Sequence, residues 1–321
     1  MSTAMLTAAA PSPALRPTYA RTLPVLGSYR LAETAGLGFG RQAIADFDGV
    51  YRMAFTVDGD HERAAAVEIR QPAPDGLVVT MTTDADPDVV AAQVARILSV
   101  DVDGRGFDEL ARRDRVIGTM VAAAPGLRPP QFCSPYEAAA WSIISARRPG
   151  VQAERVRRRL SAAHGTGLAV AGGVEHAFPT PTQLLGVTDV PGLPATAIPR
   201  LHAVAEAARA GELDISRLVA LDPEEARLDV QRLPGIGPFY SGLIVYRALG
   251  LPDVLPLIEP RSRAALERAH GLGPCSDEEF TALARAWRPY RMWVTFLARA
   301  TAGRVDPAAG RAPRSRGPRR S

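Results

Sequence analysis

The groups with the most chemical content lie in one stretch, Gln231 to Pro260, which reads QRLPGIGPFYSGLIVYRALGLPDVLPLIEP. A Pro-Gly-Ile-Gly turn at 234–237 separates two helical patterns, and a lone carboxylate, Glu259, sits at the far end. Gly235 and Gly237 allow a tight turn and close approach of a ligand to the backbone. Pro238 suits the first turn of the second helix, where its missing N–H is no loss. The free N–H groups at that helix start, helped by the helix dipole, make an anion site, and a nucleic-acid phosphate is a natural occupant. Taken alone, LPGIG fits an ordinary helical hairpin with glycines placed for packing as well.

Other chemistries are thinly represented. All 38 basic residues are arginine, and no lysine occurs in the 321-residue chain. Schiff-base catalysis by a lysine side chain is therefore excluded. The five histidines show neither HxxxH nor HxH spacing, so a catalytic zinc site is not expected. Cys133 and Cys275 lie far apart outside any CxxC motif and read as unpaired thiols of a reducing cytoplasm. The net charge of +4 permits a polyanionic partner without requiring one.

The elements that would position these groups fall into two parts. Residues 1–20 are rich in Ala, Pro and Thr and read as a disordered leader. Residues 21–104 read as a small α+β domain. Its strands are expected over 50–57, 65–71 and 76–83, and an amphipathic helix opens at Asp86-Pro87. From 105 to 305 the pattern is helical, with about eight to ten helices. The stretch 107–124 reads as one helix, PYEAAAWSIISARR as a buried one, and SDEE carries a capping box at Ser276 and Glu279. Arg155, Arg157, Arg158 and Arg159 form a basic run that suits either a solvated face or DNA contact. Trp141, Trp287 and Trp293 read as core. Residues 306–321 are basic and read as a disordered tail. No run approaches the roughly 20 apolar residues of a membrane span.

APGLRPPQFCSPYEAAAWSII, FPTPTQLLGV, LPGIGPFYSGLIVYRALGLPDV and ARAWRPYRMWV follow one another in an order that resembles the helix-hairpin-helix DNA glycosylases. The resemblance is strongest to their bacterial type-II 3-methyladenine branch and covers most of the chain. It implies a helical bundle behind a small antiparallel-sheet domain. It also implies a hairpin that grips double-stranded DNA through Gly235, Ile236, Gly237, Phe239 and Tyr240, and a base flipped into a pocket. Counting from Gly237, the family's catalytic aspartate falls on Glu259. A carboxylate there would stabilise positive charge on the sugar as the base departs and would orient a water. The glutamate arm is one methylene longer than aspartate.

Pocket positions of that branch fall on Phe239, Leu243, Pro260 and Arg299, of which only Phe239 keeps an aromatic. The lysine of lyase-competent relatives is replaced by Phe239. Arg147 falls at the wedge position, and with Arg148 it suits either a gap-filling plug or a phosphate contact. The backbone carbonyls of Gln231, Leu233 and Ile236 match a structural potassium or sodium site, with no other cofactor implied. The expected protein is a monomeric, cytoplasmic, nucleoid-associated, monofunctional glycosylase of base-excision repair acting on damaged, chiefly alkylated, bases. A catalytically inactive, damage-sensing DNA-binding protein on the same scaffold is the other reading.

Overall fold

The computed structural model describes residues 16–37, 44 and 46–305. Its N-terminal layer is a four-stranded antiparallel sheet in the order β1-β4-β3-β2. The strands are β1 (Thr18–Pro24), β2 (Tyr51–Val57), β3 (Asp60–Ala73) and β4 (Gly76–Thr83), with helix α1 (Leu31–Leu37) between the first two. β4 alternates half-buried and buried residues along its whole length. Leu77, Val79 and Met81 thus face inward and join Val90, Val94 and Ile97 of helix α2 (Pro87–Ile97) in one apolar core. Asp86 caps α2 by accepting the Asp88 amide at 2.8 Å.

The remaining helices are α3 (Arg105–Arg113), α4 (Arg115–Ala123), α5 (Pro135–Ser145), α6 (Gly150–His164), α7 (Pro181–Leu185) and α8 (Ala197–Arg209). They continue as α9 (Ile215–Val219), α10 (Pro223–Val230), α11 (Pro238–Ala248), α12 (Pro260–Ala269), α13 (Asp277–Ala284) and α14 (Arg291–Val305). Two apolar cores hold them. One gathers α5, α6, α8, α10 and α11, and the other gathers α3, α4, α13 and α14 around Trp287 and Trp293.

The mostly helical fold with a small antiparallel sheet agrees with the sequence reading; twelve α-helices, not eight to ten, lie among the described residues of 105–305, and four local details differ. β1 starts at Thr18, inside the stretch expected as leader, because its residues complete the sheet edge on β4. The rest of that leader, 1–15, and the tail, 306–321, lie outside the described residues. The single helix expected over 107–124 is two, because the Asp114 carboxylate accepts the amides of Val116 (2.8 Å) and Ile117 (3.1 Å) and starts a new helix there. A hairpin of β5 (Gly167–Val170) and β6 (Gly173–His176) interrupts the helical part and packs on β2 and β3. The fourth difference is α12, a helix absent from the sequence reading, and Glu259 is its N-cap.

Buried arginines tie the sheet layer to the helices. Arg96 of α2 donates to the Cys133 carbonyl at 2.7 Å, to the Phe132 carbonyl at 3.2 Å and to the C-terminal end of α11 at the Ala248 carbonyl. It also pairs with Asp58 at 2.6 Å. Arg128 donates to the carbonyls of Ser99, Val102 and Ser28 at 2.9, 3.0 and 3.1 Å. Burial raises the Asp58 carboxyl above its ordinary value despite the Arg96 partner. The rigid seat of α11, and so of the hairpin before it, begins with these contacts.

Candidate active site

The turn at 234–237 joins α10 to α11. Asp222 caps α10 in a capping box with Glu225, and Pro223 occupies its first turn. Gly237 is the N-cap of α11, with Pro238 next. The two glycines have different reasons to be there. Gly235 has φ 91°, and an added Cβ would lie 2.9 Å from Arg200 Cδ and 3.1 Å from Ile143 Cδ1. Gly237 has φ −95°, open to any residue, and an added Cβ would meet nothing within 4 Å. Its emptiness faces outward. The Ile236 amide bonds back to the Leu233 carbonyl at 3.0 Å, whereas the amides of Gly235 and Gly237 make no hydrogen bond among the described residues.

A depression of about 730 Å³ adjoins the turn, and Arg147, Arg148, Arg200, Gly235, Gly237 and Tyr240 line it. Arg147 is exposed and has φ 57°, a left-handed conformation that a non-glycine residue holds only under local constraint. Arg148 is half-buried, and its guanidinium donates to the Ile144 carbonyl at 2.9 Å. Arg200, on α8, had no signal in the sequence. Its place follows from the packing of α8 on α5.

Tyr240 and Arg148 also line a second concavity of about 350 Å³, roofed by α5 and α11 and floored by α14. Phe239 stands at its mouth, 48 % exposed, with its ring edge-on to Tyr240 at 5.4 Å. Ser145 reaches the Tyr240 hydroxyl at 3.3 Å. Leu243 and Arg299 share the lining, whereas Pro260 does not: it is exposed as the first residue of α12. Trp141, expected in the core with the other two tryptophans, also lines the cleft, while Trp287 and Trp293 are fully buried. The basic run on α6 lies elsewhere, in a groove with Arg52 and His176, and Arg157 there is paired with Glu154 at 2.9 Å.

Glu259 faces the cleft, its side chain 20 % exposed. One carboxylate oxygen, Oε2, accepts the Ser262 amide at 2.7 Å and the Ser262 hydroxyl. The other, Oε1, accepts from Arg299 Nη1 at 2.9 Å. The acid is thus anchored at both oxygens by its own helix start and by α14. Such a carboxylate stays fixed in orientation, which is what stabilising a nearby positive charge requires. The Glu-Pro-Arg-Ser spacing was the available signal for Ser262, since an N-cap side chain reaches the amide three residues on. Arg247, in the wall of the cleft, is buried over the Phe296 ring at 4.9 Å and donates to Gln131 at 3.1 Å. Desolvation, and then the Arg299 charge, push its pKa down to about 9.

No family model matches the sequence. The chain is 28% identical over 254 residues to a probable bifunctional transcriptional activator/DNA repair enzyme AlkA of Mycobacterium tuberculosis. That match covers 77% of this chain and 49% of the relative, so the chain spans about half the length of the curated relatives it matches. Among solved structures, the 3-methyladenine DNA-glycosylase from Archaeoglobus fulgidus superposes with a TM-score of 0.72 at 19% identity, covering 88% of this chain and 97% of that one. The 8-oxoguanine glycosylase/lyase of Clostridium acetobutylicum, in complex with double-stranded DNA, gives 0.61 at 16% identity, with 87% and 93% covered. These likenesses establish the fold as that of the helix-hairpin-helix DNA glycosylases.

Proposed function

We propose that this protein is a monofunctional DNA N-glycosylase of base-excision repair. It hydrolyses the N-glycosidic bond of damaged bases flipped out of a duplex and leaves an abasic site. The observation that carries this reading is the anchored Glu259 carboxylate inside a cleft that opens beside Phe239 and adjoins the open turn at Gly235 and Gly237. The kinship with a relative called a DNA repair enzyme and with solved glycosylases supports it. The hairpin amides and Arg147, Arg148 and Arg200 would hold phosphates, and Phe239 would stack on the extruded base. Departure of the base leaves positive charge on the sugar, which Glu259 would stabilise while orienting the attacking water. The chain has no lysine side chain for a Schiff-base lyase step, so cleavage would stop at the abasic site.

A potassium or sodium ion on the carbonyls of Gln231, Leu233 and Ile236 would suit a turn of neutral, hard oxygen donors. The Leu233 carbonyl already accepts the Ile236 amide and keeps one lone pair for such an ion. The ion would add positive charge where a phosphate docks. Such a protein would work at the nucleoid as a monomer on double-stranded DNA. Among the described residues no helix is long and apolar enough to cross a membrane.

The test is incubation of the protein with a duplex of damaged bases. The reading requires free base together with abasic sites that break only on later alkali treatment, and no protein–DNA adduct trapped by borohydride. An inactive DNA-binding protein would instead hold the duplex and release nothing.

A further inference from the structure

The charges around the cleft favour one class of base over another. Its charged lining, among the described residues, is three arginines (Arg148, Arg247 and Arg299) against the single carboxylate of Glu259. Arg299 does not point away. Its guanidinium reaches into the site and meets Glu259 Oε1 at 2.9 Å. One of its five N–H donors is used there, and the side chain remains 50% exposed, so further donors are open to a bound base. The Phe296 face, which would otherwise attract a cationic base, is already covered by Arg247 at 4.9 Å.

We propose that Arg299 is a specificity-determining residue that makes the cleft select uncharged purines carrying a ring carbonyl over N-alkylated, cationic ones. This rests on the glycosylase reading. An uncharged base breaks its bond to the sugar carbon by taking the electron pair, and so departs with negative charge. A cationic base taking the same pair departs neutral and gains nothing from an arginine. As the C1′–N bond breaks, the positive sugar faces Glu259 and the negative base faces Arg299. Water oxygen then bonds to C1′, and its proton passes through the Glu259 carboxylate to solvent while the base anion takes up a proton. Arg299 and Glu259, held together before substrate enters, match the two charges that separate.

Single-turnover release is measured from matched duplexes containing hypoxanthine, which is uncharged with a ring carbonyl, or 7-methylguanine, which is cationic. Wild type is compared with Arg299→Met, which keeps an unbranched stem without the charge, and with Arg299→Lys, which keeps the charge. Circular dichroism melts verify that each variant is folded. The expected hypoxanthine-to-methylguanine rate ratio is about tenfold or more in wild type, falls by about tenfold in the methionine variant and is largely restored by lysine, a tenfold change being about 1.4 kcal/mol. Faster release of 7-methylguanine by wild type, or a ratio unmoved in Arg299→Met, overturns the preference and leaves the enzyme reading standing. Release of neither base by wild type overturns both.

Discussion

At Glu259 a change of residue type is compensated by geometry. Glutamate is longer than aspartate, and an unanchored extra rotor would blur the placement of charge. Here the rotor is fixed, because Ser262 holds Oε2 and Arg299 holds Oε1. Ser262→Ala removes the hydroxyl contact and keeps the amide contact. Since a misplacement of about 1 Å can cost about a hundredfold in rate, base release should fall about tenfold or more, with the melting temperature nearly unchanged. Single-turnover kinetics beside a thermal melt check this. Phe239 is 48% exposed and its ring meets Tyr240 edge-on at 5.4 Å, so Phe239→Ala should change stability by no more than about 1 kcal/mol. It should weaken binding to a duplex bearing an abasic or damaged site by about 1–3 kcal/mol, the usual worth of one aromatic stack on a base, as fluorescence anisotropy would show.

Elements were legible where a chemical signal ended them. Asp- or Ser-capped helices such as α2, α5, α10 and α13, the first three with proline in the first turn, were read near their observed places. The break at Asp114 was missed because its neighbours keep a helical pattern, and only its carboxylate bonding two amides ahead decides the split. The β5–β6 hairpin was missed because its four-residue strands are too short to alternate visibly, and they are held by contact with β2 and β3. Trp141 packs against the core as read, and its place in the cleft lining is what the sequence did not show. Helical spacing tells which face is apolar, but not that part of this face also borders a cleft.

The turn offers the sharpest test at this scale. Gly235→Ala puts a Cβ at φ 91° against Arg200 and Ile143 and should cost about 1–3 kcal/mol of stability. Gly237→Ala meets no atom and should leave stability within about 0.5 kcal/mol. It should nevertheless weaken duplex binding, because the methyl would occupy the space a phosphate needs. Equal stability losses in the two variants would remove the distinction between a structural and a ligand-facing glycine.

Over the whole molecule, an absence of lysine has been met by wiring arginines inward as well as outward. The Arg96–Asp58 pair joins the sheet domain to the end of the hairpin helix, with both side chains nearly buried at 8% and 11% exposure. Arg96→Met strands a buried carboxylate and should cost about 3–5 kcal/mol, with partial recovery in the double variant carrying Asp58→Asn. Chemical denaturation of the single and double variants measures the coupling. That seam was invisible in the sequence, because nothing local marks two residues 38 positions apart as partners.

The central claim is that the Glu259 carboxylate, not merely the scaffold, drives bond cleavage on DNA held by the hairpin. Glu259→Gln keeps the size of the side chain and one acceptor oxygen for Ser262, removes the charge and turns an N–H donor toward Arg299 in place of the second oxygen. The direct measurement is the first-turnover rate of base release from a damaged duplex, with duplex affinity measured in parallel at fixed salt. The account predicts a loss of about a hundredfold or more in release, of the size seen when a charge-stabilising group is removed, with affinity little changed. Release by the glutamine variant at the wild-type rate would contradict it.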